Sequence, residues 1–177
     1  MEGPLHLNLA NTLVSDRPGR DLLTTPLQLA HWVAAQGEWT DITAIDPSRL
    51  ADLRDLRTVI RSLLHTVLDE AEPEPAAVAL LNFYLAREGR ISVLVPAGAG
   101  FALERHRDGD AGDRLLADIA RSAAESLTGP QCHRLRACSG PACRLFFEAR
   151  HPGRRWCDSR VCGNRVRVAR HRRGTAV

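Results

Sequence analysis

Four of the five cysteines follow one regular pattern in the last third of the chain. Cys138 and Cys143 are separated by four residues, 13 residues follow, and Cys157 and Cys162 are again separated by four. Two thiol pairs with equal short spacing and a longer connection are typical of a four-cysteine zinc site. The pattern predicts a structural rather than a catalytic Zn²⁺, because four thiolates complete its tetrahedral shell.

Other uses of these residues stay open at this point. Disulfide bonds are disfavoured because we expect a cytoplasmic protein: the first residues lack the basic and apolar regions of a secretory signal. Independent buried thiols would not be expected to fall into two equal pairs. His133 or His151 could replace one thiol ligand, and the fifth cysteine, Cys132, is interpreted as a free thiol.

Charge is divided unequally along the 177 residues. Residues 1–130, here called the body, contain 12 Arg and 19 acidic residues, a net charge of −7. Residues 131–177, here called the finger, contain 12 Arg and two acidic residues, a net charge of +10. A strongly basic segment indicates a polyanionic partner, most simply DNA, with RNA as another candidate. The alternative is a solvated basic segment, or one that docks on the acidic body.

The residues between the two thiol pairs predict a small hairpin. The apolar run at residues 145–147 predicts a strand and Pro152–Gly153 a turn, after which residues 154–156 return toward the second thiol pair. Phe146, Phe147 and Trp156 are expected to form a small core around the metal, and stacking on bases is the alternative.

The residues after Cys157 predict a basic helix, which Asp158 or Ser159 can cap. Val161 and Cys162 begin its apolar face, but arginines occur on several sides. Such a helix suits a groove or a line of phosphates better than burial, although a solvated helix is the alternative. The predicted nucleic-acid contacts are Arg154, Arg155, Asn164, Arg165, Arg167, Arg170, Arg172 and Arg173.

The body is predicted to be mainly helical. Capping signals and apolar spacing predict helices near residues 26–35, 46–70, 76–87 and 112–127. Two runs near residues 91–95 and 101–105 predict a β-hairpin, and Gly129–Pro130 marks the end of the body. The expected fold is therefore mainly α: a helical domain with a small β-hairpin, then a four-cysteine finger made of a β-hairpin and a C-terminal helix.

We expect no enzymatic activity, because the sequence has no GxSxG, P-loop, GxGxxG or HExxH motif. Asn8, Asn11 and Thr12 are a candidate ligand pocket, for instance for a small-molecule effector. Polar residues in an apolar segment more often satisfy backbone groups between helices. The body could also dimerise. No stretch is long and apolar enough to cross a membrane, so no membrane partner is expected.

The motif Cys157-x4-Cys162-Gly163-Asn164-Arg165, preceded by Arg154-Arg155-Trp156 and an upstream Cys-x4-Cys, resembles the CGNR zinc finger over about residues 131–173. The segments Leu5–Leu13 and Leu22–Trp32 resemble the opening of the ABATE domain. In that family the finger follows an ABATE domain, and members are described as stress-related transcription regulators. The resemblance implies zinc as cofactor and DNA as partner. The alternative function is a zinc-stabilised protein-interaction module without nucleic-acid binding.

Overall fold

The computed structural model describes residues 3–15, 21–37, 46–98, 100–107 and 109–174. In these ranges the chain forms six α-helices and two antiparallel hairpins, so the prediction of a mainly α fold is confirmed. The body contains α1 (Leu5–Ala10), α2 (Pro26–Ala34), α3 (Arg49–Leu68), α4 (Pro75–Leu85), β1 (Arg90–Ala97), β2 (Gly100–Arg107) and α5 (Ala111–Thr128). The finger contains β3 (Leu135–Ala137), β4 (Phe146–Glu148) and α6 (Asn164–Gly174).

Local capping fixes where the helices begin. The Thr25 hydroxyl accepts a hydrogen bond from the Gln28 backbone N–H at 3.2 Å, and the Gln28 side chain accepts one from the Thr25 N–H at 3.2 Å. With Pro26 in the first turn, this is the capping box that the sequence predicts. Asp110 caps α5 in a similar way, accepting from the Asp113 N–H at 2.8 Å.

Helix α5 lies at the centre of the helical body, where it packs against α1, α3 and α4. Apolar residues at helical spacing on α3 and α5 are fully buried in this core: Leu53, Leu56, Ile60, Leu64, Leu115, Leu116 and Ile119. Burial of such stripes supplies most of the stability of a helical domain. The β1–β2 hairpin follows α4 in the predicted place, with Arg90 opposite Arg107 and Ala97 opposite Gly100.

The hairpin of the finger differs from the predicted one. Strand β4 pairs with β3, which precedes the cysteines, so that Leu135 lies opposite Glu148 and Ala137 opposite Phe146. The connecting loop therefore carries the first thiol pair, not the second. Residues 154–156 form no strand, and a single backbone bond from the Ser139 N–H to the Arg155 carbonyl (3.0 Å) joins them to the loop.

The two strands of the finger also extend the core of the body. Leu135 and Phe146 are 2% and 1% exposed and belong to the same apolar cluster as the helices. The expectation that Phe146 packs around the metal is wrong, because neighbouring strand residues point to opposite faces. Phe147 faces the other way and packs with Trp156 and the cysteines.

Among the described residues, no helix combines the length and the apolar character needed to cross a membrane.

Candidate metal centre

The four patterned cysteines come together in one cluster. Their sulfur atoms all lie within 4.8 Å of one another. Cys157 Sγ lies 3.9 Å from Cys143 Sγ and 3.7 Å from Cys162 Sγ. Sulfurs bound tetrahedrally to one Zn²⁺ at about 2.3 Å lie about 3.8 Å apart. Both the donor set and its spacing therefore fit zinc, and no histidine of the described residues belongs to the cluster.

Three local structures place the ligands. Cys138 and Cys143 lie in the β3–β4 loop, Cys157 precedes the helix cap, and Cys162 lies in a helical turn over Ser159–Gly163. The loop and the turn approach so closely that a Cβ on Gly140 would lie 3.0 Å from the Cβ of Cys162 and 3.1 Å from its sulfur. The absence of a side chain at Gly140 therefore lets the two thiol pairs meet.

Backbone groups and burial set the protonation of the thiols. Burial acts to raise the pKa of Cys138, but N–H groups of Cys157 and Gly140, each 3.4 Å from its sulfur, together with the thiols of Cys157 and Cys143, lower that pKa. Burial and neighbouring thiols raise the pKa of Cys157 far above its usual range. Burial also raises the pKa of Cys162 to about 11. Metal binding must therefore release protons, which makes zinc affinity depend on pH.

Arg154 supports the loop that carries Cys157. Its Nε donates to the Trp156 carbonyl at 3.1 Å, its Nη2 donates to the Cys157 carbonyl, and its guanidinium lies 4.7 Å from the centre of the Phe147 ring. This predicted nucleic-acid contact is exposed, but part of its hydrogen-bonding capacity is used within the finger.

The β3–β4 loop, residues 138–145, carries Cys138 and Cys143 and is here called the metal loop. Polar contacts bind this loop and strand β4 to the body. The Asn11 side chain donates to the Phe146 carbonyl at 2.9 Å and accepts from the Phe146 N–H at 2.8 Å. The buried Arg61 donates to the carbonyls of Ala10 and Arg144 at 2.8 Å and 3.0 Å. Ser15 forms a β-bridge with Cys143 itself. A metal ligand is thus directly connected to the body.

Arg57 and Arg61 are buried polar residues that no sequence motif marks, although their positions carry a signal. The two residues lie four apart within the apolar stripe of α3, and both are buried. Arg57 binds Asp21 through two hydrogen bonds of 2.6 and 2.7 Å. Charged residues within a core stripe indicate buried partners.

The three residues of the candidate ligand pocket bind groups of the protein. Asn8 donates to the Gly3 carbonyl at 3.1 Å and to the Gln36 side chain at 2.9 Å. Thr12 donates to the Leu9 carbonyl at 2.8 Å and accepts from Arg57 at 2.9 Å. Asn8 and Asn11 nevertheless line a cavity of about 520 Å³ between α1 and the finger, whereas Thr12 does not.

The basic helix begins directly at the metal centre. The Asp158 carboxylate caps the preceding turn, accepting from the N–H groups of Arg160 and Val161 at 2.6 and 3.0 Å. Gly163 N–H binds the Asp158 carbonyl five residues back, which widens the turn. The expected apolar face begins with the buried Cys162, but Val161, which is expected to share it, is 55% exposed.

Most of the predicted nucleic-acid contacts are exposed. Arg155 lies before the turn Ser159–Gly163 that carries Cys162. The others lie on α6 and are all exposed: Asn164, Arg165, Arg167, Arg170 and Arg172. The side chain of Arg173 lies outside the described part of the chain.

Residues 3–130 match the ABATE family, which is described as "putative stress-induced transcription regulator". The chain belongs to the ABATE family. In this ABATE protein, residues 134–174 also match the CGNR zinc finger. Together with the cysteine cluster, this match confirms the prediction of structural zinc. No curated protein matches the chain.

Proposed function

We propose that this ABATE protein is a DNA-binding transcription regulator, in which zinc fixes the finger and α6 contacts the duplex. The observation that carries the proposal is the exposure of Arg165, Arg167 and Arg170 on α6. Within the described residues, none of these three arginines forms an ion pair with a carboxylate of the acidic body. Their charge is therefore available to an external polyanion. The description of the family supports the same role.

The order of residues on α6 suits the major groove. At helical spacing, Arg167 and Arg170 lie on one flank of the helix, and Arg165 and Arg172 lie on the other. An α-helix fits the major groove, where its flanks face the phosphates of the two strands. The two arginine rows are placed to contact both strands, and Arg can bind a phosphate through two hydrogen bonds.

The strip between the arginine rows is the proposed base-reading surface. It contains Asn164, Val168 and His171, and all three side chains are exposed. Asn can recognise adenine through two hydrogen bonds, and an apolar side chain can contact the methyl group of thymine. Asn164 lies in the first turn, the part of a recognition helix that contacts base edges in helix-turn-helix proteins.

The body has two further proposed properties. Dimerisation of the body would double the number of base pairs read, because one finger contacts only a few. In this proposal the chain has no enzymatic activity.

The test compares single variants of the zinc-loaded full chain by fluorescence anisotropy on duplex DNA over a salt series. Arg165→Gln, Arg167→Gln and Arg170→Gln should each reduce the slope of log K against log salt by about 0.9. Arg54→Gln is the matched control, because it removes one exposed charge from α3. Asn164→Ala should leave the slope unchanged and weaken the preference among duplex sequences.

Two results would contradict this function. Equal slopes for the wild type and all three α6 variants would mean that α6 contacts no phosphate. Absence of DNA binding at low salt would instead favour the zinc-stabilised protein-interaction module.

A further inference from the structure

The cavity of about 520 Å³ lies at the junction of the body and the finger. Asn8 of α1 and Asn11, which directly follows this helix, line one side, and the finger contributes the charged groups Arg134, Glu148, Arg150 and Arg154. The volume lies within the range of about 300–1,000 Å³ that small-molecule sites occupy. Leu7 and Phe147 supply apolar surface for the uncharged part of a ligand.

The charged groups of the cavity have hydrogen-bonding capacity left over. Within the described residues, the side chains of Arg134, Glu148 and Arg150 form no hydrogen bond or ion pair. Arg154 uses its Nε and Nη2 within the finger, so its Nη1 group keeps its donors. Three guanidinium groups and one carboxylate give the cavity a net charge of +2.

We propose that this cavity binds a small phosphate-bearing molecule. A phosphate dianion matches the net charge of the cavity, and arginine suits the geometry of phosphate oxygens. Glu148 opposes the anion but can accept from a hydroxyl or amine elsewhere on the ligand. A ligand at this position contacts both α1 and the finger, so its binding stabilises their association. The proposal does not require DNA binding.

The test is isothermal titration calorimetry of the zinc-loaded full chain with inorganic phosphate at low ionic strength and pH 8. We expect saturable binding with one phosphate per chain. Arg134→Gln and Arg150→Gln should each weaken it at least tenfold, because each removes a charge-assisted hydrogen bond. Glu148→Gln should strengthen it severalfold by removing repulsion. Arg54→Gln, the control, removes an exposed charge on α3 outside the lining of the cavity and should leave phosphate binding unchanged.

Glu148→Gln should strengthen phosphate binding, whereas the arginine variants should weaken it. Damage to the fold would weaken binding in all of these variants, so this contrast distinguishes a charged site from a folding defect. The proposal is overturned if phosphate gives no saturable binding, or if Glu148→Gln weakens it. It is also overturned if Arg54→Gln weakens binding as much as Arg134→Gln does.

A phosphate group of the DNA backbone could occupy the same cavity instead of a small molecule. If Arg134→Gln and Arg150→Gln reduce DNA affinity as much as Arg167→Gln does, and a short duplex displaces phosphate, the cavity belongs to the DNA surface and the proposal fails. If Arg167→Gln keeps full phosphate affinity, the cavity is independent of α6. Phosphate binding by a chain that binds no DNA would remove the proposed function and leave this inference standing.

Discussion

His6 is a buried titratable residue in the first turn of α1. It has no exposed surface, and its Nδ1 lies 2.9 Å from the Ser122 hydroxyl. Burial lowers its pKa to about 4. Because an unfolded histidine has a pKa of about 6.5, the unfolded chain binds a proton between these two values and the folded chain does not. Titration of His6 therefore does not reduce the free energy of unfolding above about pH 6.5, and reduces it progressively as the pH decreases toward 4.

We predict that this residue makes folding about 2 kcal/mol less favourable at pH 5 than at pH 7. Urea unfolding at both pH values should therefore show a smaller pH effect in His6→Gln than in the wild type. Loss of zinc at low pH affects both proteins, so the difference between them reports on His6. His31→Gln, which changes an exposed histidine on α2, should behave like the wild type. Identical pH dependence in all three proteins would contradict the assignment.

At the scale of elements, adjacent residues of β4 have different roles. Phe146 is buried in the core of the body, with its ring centre 5.0 Å from that of His65. Phe147 packs against the cysteines. We predict that Phe146→Ala destabilises the zinc-loaded chain by about 3–5 kcal/mol, the usual cost of a large core cavity. Phe147→Ala should mainly reduce zinc affinity, because the metal loop loses its packing.

Denaturant unfolding and competition with a zinc chelator measure these two effects separately. Leu94→Ala is a control in the exposed part of the β1–β2 hairpin, where Leu94 is 63% exposed. If both Phe variants lose stability and zinc affinity in the same proportion, the assignment of Phe146 to the core of the body and of Phe147 to the metal centre is incorrect.

The sequence predicts elements well where the determining contacts are local. The capping box at Thr25 and the apolar stripe of α3 lie within one helix each, and both are present in the structure. The pairing of β4 with β3 is a longer-range contact, and β3 has only three residues, too few for a clear alternation of apolar and polar residues. The prediction that the Pro152–Gly153 turn closes the hairpin is therefore wrong, because this turn follows β4 and joins no two strands.

The same distinction applies to the candidate site. The spacing of the cysteines predicts the ligand set because short chelating loops are visible in the sequence. The contacts of Asn11 with Phe146 join residues far apart in the chain, and nothing near Asn11 indicates its partner. A polar residue in an apolar segment signals only that some partner exists.

At the scale of the whole molecule, the finger and the body share one core. Leu135 and Phe146 join the helical cluster, and the β-bridge of Ser15 joins the metal loop to the body. A structural zinc site contributes about 10 kcal/mol or more to the folding of isolated fingers. We therefore predict that zinc removal destabilises the entire chain and not the finger alone.

Removal of zinc by a chelator should lower the midpoint of thermal unfolding by about 10–20 °C, which corresponds to a loss of about 5 kcal/mol. Circular dichroism measures this midpoint through the loss of helical signal, and the helices lie mostly in the body. Cys162→Ser should have a similar effect, and Cys132→Ser, outside the cluster, should have none. An unchanged midpoint after zinc removal would mean that the body folds independently of the metal.

The affinity of the zinc-loaded full chain for random duplex DNA over a salt series tests the proposed DNA binding of the basic finger. If Arg155, Arg165, Arg167 and Arg170 each neutralise one phosphate, log K should fall by about 3–4 for each tenfold rise in salt. A steep negative slope of this size is the result that we predict. Undetectable binding at low salt, or an affinity independent of salt, would contradict the account.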